Sequence, residues 1–114
     1  MKLEIILFII LIFASCDSEK SVPSDLLQPE KMTEVLEDIY LSEGIVANSG
    51  SQDRAAERQM AIDYYSVVYK KHKVDSTVFR KSFDYYSMHP KLMQQIHEQV
   101  IDRLSKKNLE LYKK

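Results

Sequence analysis

Apolar residues recur along this chain with a helical period in four stretches separated by short polar breaks. In the first, Met32, Val35, Leu36, Ile39, Val46 and Ala47 share one face at ~100° per residue. Pro29 and Glu30 suit an opening turn, so a helix is expected over 29–47. Asn48 to Gln52 breaks the pattern, and Asp53 can cap a second helix over 53–72. That helix carries two stripes, Ala56, Met60, Tyr64, Val67 and Val68 on one side and Ile62, Tyr65 and Tyr69 on another. Two stripes predict contacts on two sides, the position of a central helix. Asp75 can cap a third helix over 76–87, with Phe79, Ser82, Phe83 and Tyr86 on one face. Met88-His89-Pro90 is a corner. Pro90 opens a fourth helix over 90–112, striped by Met93, Ile96, Val100, Leu104 and Leu111 and expected to fray after Lys106. The fold class expected is all-α, a small bundle of about four helices.

The amino terminus follows a different pattern. Ile5–Phe13 is an unbroken apolar run of nine residues. As a helix it would be ~14 Å long, about half of the ~30 Å a membrane span must cover. Lys2 gives it a basic start, and Phe13-Ala14-Ser15 leads into Cys16, the single cysteine. Together these resemble a bacterial lipoprotein signal with its lipobox. Glu4 and Phe13 depart from the usual pattern, which is purely basic at the start and has leucine three residues before the cysteine. On this reading residues 1–15 are a signal peptide. Residues 16–28 are then a lipidated cysteine and a flexible tether, and 29–114 form the helical domain. A lone cysteine in an exported chain has no internal disulfide partner, and thioether lipidation gives it another role. The tether, Asp17–Gln28, is mostly polar, contains Pro23, and spans at most ~40 Å when extended. Leu26 and Leu27 are expected to dock on the domain as it arrives.

Charge narrows the partner class. The chain carries 16 Lys+Arg against 17 Asp+Glu. Removing Lys2 and Glu4 with the signal leaves the balance at −1. A near-neutral domain lacks the basic excess that phosphate neutralisation requires, so nucleic acid is not expected as a partner. The pairs Lys106-Lys107 and Lys113-Lys114 are read as solvating a helix end.

Two features could carry chemistry. Glu43 falls near the middle of the first helix's apolar face, where a carboxylate must be hydrogen-bonded, paired or protonated. It is read as a fold-specifying acid held by a tyrosine hydroxyl or a basic side chain, with a ligand contact or general acid as the sharper alternative. Asp38, off that face, is read as a solvated or helix-linking acid. The sequence Asp-Tyr-Tyr-Ser occurs at 63–66 and again at 84–87. Adjacent tyrosines cannot share a helix face. In each of the pairs Tyr64-Tyr65 and Tyr85-Tyr86, one ring can enter the core while the other lines a rim or groove. His72, His89 and His97 show no metal-ligand spacing, no thiol remains once Cys16 is lipidated, and two glycines cannot make a phosphate loop. No cofactor, metal or catalytic residue is expected.

The residues also carry a family resemblance. Lys31-Met32 with Val35–Glu43, Tyr64-Tyr65, Tyr69–Val74, Phe79, Ser82, Tyr85-Tyr86, Pro90, Ile96, Val100-Ile101 and Arg103-Leu104 resemble domain of unknown function 4296. The resemblance covers about Leu26–Leu104. It implies a small, mostly helical lipoprotein of Bacteroidota with no established activity. The leading functional expectation is a non-catalytic, lipid-anchored interaction or assembly module of the bacterial cell envelope, inner or outer membrane unresolved. It would offer a tyrosine-lined face to an envelope protein, a peptide or a glycan. The alternatives are an envelope chaperone-like peptide binder and, last, an acid–base enzyme using Glu43.

Overall fold

The computed structural model describes Lys2 and residues 21–113. These form four helices: α1 Pro29–Ala47, α2 Arg54–His72, α3 Ser76–Ser87 and α4 Pro90–Tyr112. The signal peptide, Cys16 and the first part of the expected tether lie outside the described residues. Local chemistry sets the helix starts. Pro29 and Pro90 occupy first-turn positions where their missing amides cost nothing. The Asp53 and Asp75 carboxylates each accept an amide two residues on, from Ala55 at 2.9 Å and from Thr77 at 2.7 Å. The carboxyl of Asp75 lies below the usual range because it accepts from Thr77.

The end of α2 is a Schellman turn. Lys73 sits in the left-handed region at φ 54°. The Val74 amide donates to the Tyr69 carbonyl at 2.9 Å and the Lys73 amide to the Lys70 carbonyl at 3.3 Å. Val74 and Tyr69 pack on the same apolar cluster. A side chain at Lys73 opposes this backbone, so Lys73→Gly is expected to raise the urea midpoint by the equivalent of about 0.5–1 kcal/mol.

The central helix is α1, not α2. One cluster joins Met32 and Leu36 of α1 to Tyr86 of α3 and to Ile96 and Val100 of α4. A second joins Val35 and Ile39 of α1 to Val68 of α2. Val68 is the one buried residue of α2, while Ile62 and Val67 are exposed. Of the second stripe, Tyr65 and Tyr69 pack on this cluster and only Ile62 is left exposed. In α4 the helix continues to Tyr112 rather than fraying after Lys106, yet nothing past Leu104 is buried, and Leu111 at the end of the expected stripe is exposed.

The described part of the expected tether, residues 21–28, lies against the bundle. The Pro23 carbonyl accepts from the Leu26 amide at 3.1 Å, closing a turn. The Leu27 amide then donates to Ser82 Oγ at 2.9 Å, and the Tyr86 hydroxyl donates to the Leu27 carbonyl at 2.7 Å. Ser82 and Tyr86 are fully buried. Both backbone groups of Leu27 are thus satisfied by α3 inside the core, as buried polar groups must be. Val22 and Leu27 add apolar contacts to the same cluster.

Two neighbouring acids clamp the flanking helices to α1. Glu37 faces α4, pairing with Arg103 Nε at 2.6 Å and with the Lys107 ammonium. Asp38 faces α2, accepting from Lys71 Nζ at 2.8 Å and from His72 Nε2 at 2.6 Å. Burial alone would raise both carboxyls. Lys107 and Arg103 outweigh it at Glu37, as do Lys71 and His72 at Asp38, so both sit below the usual carboxylate range.

Candidate functional site

Helix length decides where the bundle is open. Helices α1 and α2 have 19 residues each and α4 has 23, but α3 has 12. At 1.5 Å per residue these are ~28, ~28, ~34 and ~18 Å. α3 covers the half of α1 that holds Met32 and Leu36 and stops short of the rest. Past that contact Ile39 and Ser42 of α1 are still buried, while Glu43 and Ile45 are exposed.

This explains Glu43. It follows Leu36 by seven residues and Met32 by eleven, so it does share the core-facing side of α1. It is nevertheless exposed, because α3 no longer lies opposite. The expectation of a buried carboxylate is corrected here: the buried one is Glu37. The expected tyrosine partner does exist, since the Tyr65 hydroxyl donates to Glu43 Oε1 at 2.7 Å. Burial, then this bond, push the Tyr65 phenol up to about 12. Tyr40 lies alongside. Its hydroxyl pairs with His97 Nε2 at 2.9 Å, and burial followed by the nearby Glu43 charge raises its phenol. Tyr65, Glu43, Tyr40 and His97 thus form a polar line from α2 across α1 to α4, at the border between covered and open halves.

The open half is apolar beyond that line. On α2, Ile62 shares a face with Tyr65 and Tyr69, three and seven residues on, and is 54% exposed. On α4, Ile101 and Leu104 follow His97 by four and seven residues, and Ile101 is 64% exposed.

The two tyrosine pairs are not brought into one groove. Tyr65 belongs to a row of rings with Tyr69, Phe79 and Phe83, each 5.5–6.5 Å from the next. Tyr64, next to it, is half-buried. In the second pair Tyr86 is the core ring and Tyr85 the rim ring, as the pattern suggested. Tyr85 stacks on His89 at 4.1 Å, whose Nδ1–H donates to the Tyr85 carbonyl at 2.7 Å and closes the end of α3. Burial, then Tyr85, push the Tyr86 phenol up to about 12. Each histidine has a structural partner: Asp38, the Tyr85 carbonyl and Tyr40. Among the described residues no cluster of three or more His, Cys, Asp or Glu could hold a metal.

Sequence reasoning missed Glu37, and it placed Ile62 on a contact stripe where the structure leaves it exposed. Arg103 and Lys107, four apart on α4, were the available signal for a buried acid opposite. A family model, that of a domain of unknown function (DUF4296), matches residues 23–110. No curated protein and no solved structure matches the chain.

Proposed function

Since the chain belongs to the DUF4296 family, a domain of unknown function, we propose a role from its own geometry: a non-catalytic, lipid-anchored interaction module of the bacterial envelope whose binding face is the open end of the bundle. The observation that carries this is the short α3 together with Ile62 and Ile101, which stand exposed on α2 and α4 beside the Tyr65–Glu43 and Tyr40–His97 pairs. Among the described residues no helix is long and apolar enough to cross a membrane. The anchor is instead assigned to Cys16, from the signal-like run before it. With residues 21–28 seated on the bundle, five residue steps separate Cys16 from Ser21, a reach of at most ~18 Å. The domain is then held close to the lipid. Its open face, at the carboxy-terminal end of the ~28 Å α1, points away from the point where the chain arrives.

Two experiments test the reading. Fatty-acid labelling should mark the wild type and not Cys16→Ala; equal label in both removes the anchor. Capture from solubilised envelope should give a stoichiometric partner with the wild type. The pair Ile62→Glu and Ile101→Glu should abolish that capture, and undiminished capture contradicts the assignment of the face.

A further inference from the structure

We propose that the α3 side of the bundle is the side that meets the membrane, with Lys73, Arg80 and Lys81 seated on anionic lipid headgroups. This rests on the anchor assigned to Cys16 above and adds the surface that the anchor brings to the lipid.

Charge distribution is the first argument. The chain is nearly neutral as a whole, but its charges are not mixed. Residues 21–69 carry three Lys+Arg against nine Asp+Glu, whereas residues 70–91 carry six against two. Of those two acids, Asp75 is occupied in capping α3, where its carboxylate accepts the Thr77 amide. Asp84 is the other. Among the six cations, Lys71 pairs with Asp38. Lys73, Arg80 and Lys81 are exposed, and among the described residues no carboxylate pairs with them. The fold makes no use of these three, in contrast with Arg103 and Lys107, which it pairs with Glu37.

Placement is the second argument. The three cations lie around the point where the chain arrives. Lys81 precedes Ser82, whose Oγ accepts the Leu27 amide at 2.9 Å. Val74 and Phe79, the neighbours of Lys73 and Arg80, pack on the same apolar cluster as Leu27. The rings of Tyr69 and Phe79 are 5.5 Å apart and bring the end of α2 against α3. Burial raises the Tyr69 phenol, and the nearby Arg80 charge opposes that rise. With Ser82 and Tyr86 turned to the core, Arg80 and Lys81 stand on the outer side of α3.

Reach is the third. Five residue steps, at most ~18 Å, join Cys16 to Ser21, so a lipidated Cys16 holds this corner near the headgroups. Charges act on a lipid surface only within about a Debye length, ~8–10 Å at ordinary salt. The leash brings the corner to that range, and the cations then choose which side of the domain faces the lipid. A lipid chain and a basic patch are the two signals that together give stable attachment.

The test uses the full-length lipidated chain in phosphatidylcholine vesicles, with or without phosphatidylglycerol, that carry an acceptor dye on a headgroup. The donor dye is attached at Thr77→Cys, on α3, or at Gln52→Cys, in the loop between α1 and α2. Both positions are exposed, and a lipidated Cys16 takes no dye. Energy transfer should be stronger from the Thr77 site than from the Gln52 site, and the difference should require phosphatidylglycerol. Arg80→Gln with Lys81→Gln should lower the ratio of this orientation to others about thirtyfold. Arg54→Gln with Arg58→Gln removes the same charge from exposed positions in the acid-rich half and should leave that ratio unchanged. Equal transfer from the two sites, in chains that carry one dye and stay with the vesicles, overturns the basic face and leaves the anchor standing. Two dyes per chain, with loss of the protein from the vesicles, removes the anchor and this orientation with it.

Discussion

Replacing Tyr86 by alanine is expected to cost the domain about 3–5 kcal/mol, the range for removing a large buried aromatic. That is a large fraction of the ~5–15 kcal/mol available to a domain of this size. Tyr86 is the largest of the fully buried side chains, and it sits where α1, α3 and α4 meet. Its hydroxyl has a second role, holding the Leu27 carbonyl at 2.7 Å. Tyr86→Phe separates the two. It keeps the ring and leaves that carbonyl without its donor, at a cost of about 1–2 kcal/mol. The distinguishing readout is local. In Tyr86→Phe, residues 21–28 should exchange amide hydrogens faster while the centre of α1 stays protected. Equal acceleration throughout would show that the hydroxyl does not hold the arriving segment.

The second large effect concerns Glu37, whose side chain is 4% exposed. Removing both of its cations, in Arg103→Met with Lys107→Met, should destabilise the domain at neutral pH by about 3 kcal/mol, because it leaves a buried charge uncompensated. The sign of the pH dependence should also change. In the wild type, the carboxyls of Glu37 and Asp38 are depressed, by cations that overcome the effect of burial. Their stabilisation is complete above the unfolded values of about 4 and is lost as pH falls through the lower folded values. In the double variant burial acts on Glu37 alone and raises it. Its contribution is then most favourable below the unfolded value and is lost as pH rises through the folded one. Urea midpoints at pH 4 and pH 7 should therefore converge or cross relative to the wild type. A further Glu37→Leu change should restore much of the loss at pH 7, since a well-packed apolar residue avoids the buried charge altogether.

Much of the fold was legible because its signals are local. Proline at first helical positions, aspartate caps and a 3.6-residue period need no knowledge of the rest of the chain, and they placed the four helices. What the sequence could not convey was coverage. The period correctly put Glu43 on the core-facing side of α1, but burial there depends on how far a helix forty residues away extends. The same reason explains why the two stripes of α2 suggested a central helix, when α1 holds that place and Ile62 faces water. Glu37, one position past Leu36, lies off the centre of the apolar face, and only the arrival of Arg103 and Lys107 makes that edge an interior site. Asp38 was readable as a link between helices, and it joins α1 to α2 through Lys71 and His72. The pinning of Leu27 by Ser82 and Tyr86 pairs residues 55 and 59 positions apart through a backbone amide and carbonyl, which leave no mark on residue type.

The central claim is that Ile62 and Ile101 belong to a free face rather than to the core. Urea unfolding of the dilute protein carrying Ile62→Glu and Ile101→Glu tests it most directly. A midpoint within the equivalent of ~0.5 kcal/mol of the wild type is expected, as for surface substitutions. A loss of ~2 kcal/mol or more, comparable to truncating a core residue such as Leu36, would mean that the face is already filled.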